Sequence, residues 1–226
     1  MSLKFSHSLI VWIPLLPTFS AMLWSLPASS EPLPIDIPPQ IQSSPTLKKW
    51  RRSLPNIRQD INNDPSFKTR IRLGYTRFPQ SNTHGLSLGL EDLRIGRTPV
   101  TLSASYSYSP IVSTWGIDVQ PYIFPLGGYM NVAPVIGIRS LSTSTTQTTE
   151  FNLGARLLLV PSRGGGADVT LQQTWMAIGT DREIGIGKIS VGYAIAPKLR
   201  ISTDLERWHG RSIGETRASL LLEWMP

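Results

Sequence analysis

The chain has no cysteine, which excludes a disulfide scaffold, a thiol nucleophile, a cysteine-ligated zinc ribbon and a lipid-modified N-terminal cysteine. It also lacks the composition of a helix bundle. With 18 Gly and 19 Pro among 226 residues, it suits many short strands joined by turns. Charge is sparse at 16% of residues, whereas apolar residues reach 40%, enough to exclude wholesale disorder. The net charge of +7 carries no nucleic-acid signal, because the 16 basic and 11 acidic residues from position 67 onward are dispersed without a basic stripe. Metal clusters, phosphate loops and nucleophile motifs are missing too. Gly164-Gly165-Gly166 reads as a turn, since no helical pattern follows it. No cofactor and no metal are implied.

Residues 1–30 read as a signal peptide. Lys4 is their only charge, an apolar run extends from Leu9 to Leu26, and Ala28-Ser29-Ser30 offers small residues for cleavage after Ser30. An uncleaved membrane anchor competes with this reading, because the run approaches the roughly 20 residues of a spanning helix. Pro14 and Pro17 inside the run weigh against the anchor. Residues 31–66 form a Pro-rich, basic linker. EPLPIDIPPQ predicts an extended spacer, and Lys48, Lys49, Arg51 and Arg52 follow as a basic patch. Leu47, Trp50, Leu54, Ile57 and Ile61 would share one face of a helix that Pro55 breaks unless it opens a second, shorter one. That segment fits either a membrane-surface or pore-plugging element or a solvated charged linker.

From residue 67 to the end the period is two. Val100, Leu102, Ala104, Tyr106 and Tyr108 alternate without a miss with Thr101, Ser103, Ser105, Ser107 and Ser109, so a strand here has one apolar and one hydroxyl-lined face. The pattern recurs over 67–76, 86–91, 115–120, 132–139, 151–157, 168–175, 189–195, 199–206 and 217–224. A phase slip at Gly187-Lys188 predicts a β-bulge. The fold expected is all-β, a ten-stranded antiparallel up-and-down β-barrel preceded by the signal peptide and Pro-rich linker.

Alternation alone does not say which face points inward. Strand glycines Gly74, Gly89, Gly116, Gly137, Gly154, Gly185 and Gly192 read as polar-face residues, and Gly214 as an exception. Missing side chains on a concave face relieve crowding. Phe67, Tyr75, Phe78, Tyr106, Tyr108, Trp115, Phe151, Tyr193, Trp208 and Trp224 fall near strand ends, as interfacial girdles do. The polar face is rich in Ser, Thr, Gly and Gln rather than Lys and Glu. Together these place the apolar face outward, against membrane lipid, with both termini on the periplasmic side. A secreted soluble barrel with an apolar ligand inside is the alternative.

The stretches FKTRIRLGYTRFP, YIFPLGGYMNVAPVIGIRSL and SLLLEW, behind a signal and a Pro-rich spacer, resemble small outer-membrane-type β-barrel proteins of cyanobacteria. The likeness covers residues 67–226 and implies fold, outer-membrane location and help from barrel-insertion machinery, with no activity attached. Such barrels commonly finish on an aromatic residue, whereas here Trp224 is followed by Met225 and Pro226. The oligomeric state is open.

Closing ten strands pairs the first with the last. Lys68, Arg70 and Arg72 then meet Asp204, Glu206, Glu215, Arg217 and Glu223 near the seam, which predicts a structural ion-pair network in the lumen, with Arg70 and Glu215 coupled. Arg139, Arg156 and Arg200 also point inward, so a narrow or occluded lumen is expected. A remote enzyme reading puts His84 and His209 on one rim beside Ser81 and Ser212, as in a lipid-modifying enzyme. Exposed loop histidines explain the same residues with less.

Overall fold

A chain of strictly alternating strands can shield its whole polar face by curling until the first strand meets the last. The computed structural model has that closure. It describes residues 64–143, 147–211 and 214–226, together with Ser44 and Pro45. The signal, the basic patch and the helix expected over 47–61 lie outside the described residues. Ten strands follow in order: β1 (Arg70–Phe78), β2 (Thr83–Arg94), β3 (Val100–Tyr108), β4 (Val112–Pro121), β5 (Met130–Thr143), β6 (Gln147–Ser162), β7 (Ala167–Met176), β8 (Ile184–Ala196), β9 (Leu199–Gly210) and β10 (Gly214–Trp224). Each pairs antiparallel with its chain neighbours, and β1 joins β10 to close the barrel, with Ile71 opposite Trp224 and Arg77 opposite Ala218. The start of β1 and the finish of β10 therefore share one end, the near end. The turns 79–82, 109–111 and 177–183 lie at the far end.

The faces divide as the pleat requires. On β1, Ile71, Leu73 and Tyr75 are exposed while Arg70, Arg72 and Thr76 are buried. Leu86, Phe151 and Leu220 are 63%, 71% and 59% exposed. Apolar side chains of this size left in water forfeit roughly 1.5–3 kcal/mol each, so the exterior suits an apolar medium.

Three aromatics expected in the girdles are instead inside. Phe78 and Trp208 keep the inward phase of Arg72 and Glu206 and pack with Val112, Leu141, Met176, Ile184 and Ile186 within the far end. Phe67 lies ahead of β1 and packs its ring against Tyr122 at 5.1 Å, in a second cluster with Leu126, Ala133, Leu158 and Val160 at the near end. Backbone bonds hold the segment before β1 over this end, from the Ser66 amide to the Leu126 carbonyl at 2.9 Å and from the Gly164 amide to the Ser66 carbonyl at 2.9 Å.

The bulge expected at Gly187-Lys188 is absent. Pairing of β7 with β8 runs unbroken from Ala167↔Tyr193 to Met176↔Ile184. The apparent slip arises because Ile184 and Ile186 face inward into the far-end cluster, so hydrophobicity changes face while the strand keeps its phase. Gly185 accordingly faces outward, where the His209 ring lies over it. Register shifts occur elsewhere, at Leu90/Leu93, Leu159/Ser162 and Ala194/Ala196. The first bears on the lumen. Two residues, Glu91 and Asp92, oppose Ser103 alone, and Asp92 adopts a φ of 57°, so two successive carboxylates turn inward.

Candidate functional site

Charge is concentrated between the two apolar clusters. Among the described residues the lumen holds seven cations, Arg70, Arg72, Arg139, Arg156, Lys188, Arg200 and Arg217, and seven carboxylates, Glu91, Asp92, Asp118, Asp168, Asp204, Glu206 and Glu223. The site is electrically balanced. An unpaired charge in such surroundings would be costly, so each is paired, most of them with more than one partner.

The larger group gathers around Arg70, Arg72 and Arg200. Arg70 reaches Asp92 at 2.5 Å, Asp168 at 2.6 Å and Glu91 at 3.1 Å. Arg72 reaches Glu91 at 2.7 Å, Asp204 at 2.7 Å and Glu223 at 2.8 Å. Arg200 ties Asp168 at 2.8 Å to Glu223 at 2.9 Å, and Lys188 ties Glu91 at 2.9 Å to Asp204 at 3.1 Å. Arg156 bonds Asp92 at 3.0 Å and the Gln120 amide oxygen at 2.9 Å, while the Tyr122 hydroxyl donates to Asp92 at 3.1 Å. Gly192 makes room for this packing, since a Cβ there would collide with the Arg200 guanidinium.

A smaller group lies toward the far end. Arg217 bonds Glu206 at 2.8 Å, Arg139 bonds Asp118 at 3.0 Å, and Arg139 approaches Glu206 at 3.9 Å. Trp208 Nε1 donates to Glu206 at 2.5 Å, and Asn152 Nδ2 to Asp118 at 2.8 Å. The cavity left among these side chains, lined by Arg72, Glu91, Arg139, Lys188, Asp204 and Glu206, measures about 40 Å³, room for roughly three waters.

The structure brings six of the eight residues named from sequence into this lumen: Arg70, Arg72, Asp204, Glu206, Arg217 and Glu223. Lys68 is exposed and precedes β1, so no strand turns it inward. Glu215 is buried but sits at the far end, where its carboxylate accepts from the Gln80 amide at 3.2 Å and from the Ser81 hydroxyl. Arg70 and Glu215 do not meet, because antiparallel pairing puts the first residue of β1 and the first strand turn at opposite ends. Glu91, Asp92, Asp118, Asp168 and Lys188 were missed as partners. For Glu91, Asp118, Asp168 and Lys188 the signal was inward phase; Asp92 had none, because regular alternation would turn it outward. Some of the partners sit on a neighbouring strand, as in Arg139–Asp118, whereas others lie across the lumen, as in Arg70–Asp168, 98 positions apart.

Ser81 is engaged by Glu215, His84 stacks on Tyr75 at 6.0 Å, and Ser212 lies outside the described residues. His84 on β2 and His209 on β9 are separated by β1 and β10.

A closed antiparallel barrel with an apolar exterior and a charged interior is the architecture of outer-membrane β-barrels. No protein-family model and no curated protein matches the chain. Among solved structures it is similar to one described as "KdgM porin", at 12% identity over 70% of this chain and 99% of that one, with a TM-score of 0.42. It is also similar to outer membrane phospholipase A from Escherichia coli, at 14% identity over 71% of this chain and 97% of that one, with a TM-score of 0.33.

Proposed function

We propose that this chain is an outer-membrane β-barrel whose own side chains close its lumen, so that it acts as a structural element of the envelope rather than as a general porin. The observation that carries this reading is the balanced set of seven cations and seven carboxylates enclosing a cavity of about 40 Å³ between two apolar clusters. A hydrated permeant solute would have to break several of these pairs and cross both clusters. Barrels of about eight strands are filled by side chains, whereas open aqueous channels belong to about 16; ten strands fall near the filled limit. The signal read in residues 1–30 and the likeness to cyanobacterial envelope barrels support export and assembly by the insertion machinery. The soluble-carrier alternative needs its apolar face inside, and it is disfavoured by Leu73 and Leu222 facing outward while Arg70 and Arg72 are buried.

The test is reconstitution in planar bilayers alongside membrane fractionation and heat-modifiable migration on SDS gels. The expected result is a heat-modifiable band in the outer-membrane fraction and no stable conductance. Large, persistent nanosiemens steps would overturn the occluded lumen, and recovery only in the soluble fraction would overturn the membrane reading.

A further inference from the structure

The outward face of β9 is apolar at Ile201 and Leu205 and turns polar at Arg207 and His209. An arginine on the lipid side of a barrel is unfavourable at the bilayer centre and tolerated at the interface, so Arg207 marks where the apolar stripe of this strand ends. Among the described residues no carboxylate pairs with it. Arg211, the next cation along the chain, is already bound to Asp181 at 2.5 Å.

What Arg207 overlooks is unusual for a barrel wall. It is in register with Gly187, Gly187 with Gln173, and Gln173 with Ala155. Two of these four positions carry no side chain or only a methyl, so the row sinks below the flanking Leu171, Ile189 and Leu205. A groove of about 520 Å³ opens there on the exterior. A Cβ placed on Gly187 would touch only the Gln173 Oε1, at 3.1 Å. Packing with neighbouring strands therefore does not demand glycine here; its effect is to leave the groove floor bare.

We propose that this groove binds one anionic phospholipid, with an acyl chain along the floor over Gly187 and Ala155 and the phosphate on the Arg207 guanidinium beside the Gln173 amide. The inference rests on the membrane reading above. Charge complementarity selects the occupant: a lone cation at the head of an apolar trough fits a phosphate joined to a hydrocarbon chain, and guanidinium–phosphate pairing is a strong, directional contact. The balanced lumen leaves the excess positive charge of the chain outside it, which favours the same partner.

The experiment uses the purified full chain folded in detergent and offered equal amounts of phosphatidylglycerol and monogalactosyl diacylglycerol with matched acyl chains. Lipids retained per barrel are counted by native mass spectrometry. The expected result is one retained phosphatidylglycerol, a drop of roughly tenfold or more in its occupancy in R207Q, as expected for loss of a charge-assisted contact, and loss of the adduct in G187L, which fills the floor. R97Q, in the exposed near-end turn, should retain lipid as the unaltered protein does. Equal retention of both lipids, or full retention of phosphatidylglycerol by R207Q and G187L in a barrel that still shows its folded band, would overturn the groove. A chain with no heat-modifiable folded form in lipid would instead overturn the membrane reading on which the groove rests.

Discussion

Arg70 carries more of the lumen's cohesion than any surface ion pair could, because its guanidinium is shared among Glu91, Asp92 and Asp168 inside a nearly dry space. Removing it leaves three carboxylates short of a counterion, and breaking a buried pair of this kind costs about 3–5 kcal/mol. Arg70→Ala should therefore lower the urea midpoint of the folded, heat-modifiable band sharply. In a double-mutant cycle with Asp168→Asn the two changes should couple by about 0.5–3 kcal/mol. Arg70→Ala and Glu215→Ala should instead be additive within about 0.5 kcal/mol, because the two residues sit at opposite ends of the barrel. Glu215 restrains the turn at Gln80 and Ser81, so its loss should increase proteolysis at that turn while leaving the barrel intact.

Strand β2 owes its contribution to the lumen to one extra residue. The bulge at Asp92 turns a second carboxylate inward, where Arg70, Arg156 and Tyr122 converge on it. Deleting Asp92 would restore regular pairing with β3 and remove that hub. The deletion variant should consequently fail to give the folded band under conditions in which Asp92→Asn, which keeps the bulge, still gives a weakened one. Alternation made the strands legible because pleat geometry writes directly into the sequence, and the run predicted over 100–109 differs from β3 (Val100–Tyr108) by a single residue. The bulge at Asp92 was not legible, since one inserted residue next to Glu91 looks like an ordinary strand end. Trp208, Phe78, Ile184 and Ile186 misled in the opposite way: a lumen that is apolar at both ends and charged in the middle breaks the equation of apolar with outward. Of the candidate site, the inward arginines could be read from phase alone, whereas Lys188 was hidden by the apparent slip beside it, and which carboxylate each cation meets depends on barrel curvature, which carries no local pattern.

At the scale of the whole molecule, the charges fall into two populations that salt should separate. Screening weakens exposed pairs and hardly reaches buried ones, so raising ionic strength should leave the unfolding midpoint of the barrel nearly unchanged while it loosens exposed contacts such as Arg182–Glu150; a steep salt dependence would mean that bulk water enters the lumen. The cross-lumen pairing described above also has a kinetic meaning. Arg70 and Asp168 belong to strands on different parts of the wall, so they cannot meet until the sheet has curled, and contacts of such long range form late and slowly. Before that moment the same charges must stay hydrated. Assembly should thus finish with a drying step, in which closure of the β1–β10 seam and expulsion of interior water occur together. Trp208 is placed to report it: its indole is buried against Glu206 and Phe78, whereas Trp115, Trp175 and Trp224 face outward. The fluorescence difference between the unaltered protein and Trp208→Phe should therefore develop after the lipid-facing tryptophans have already changed.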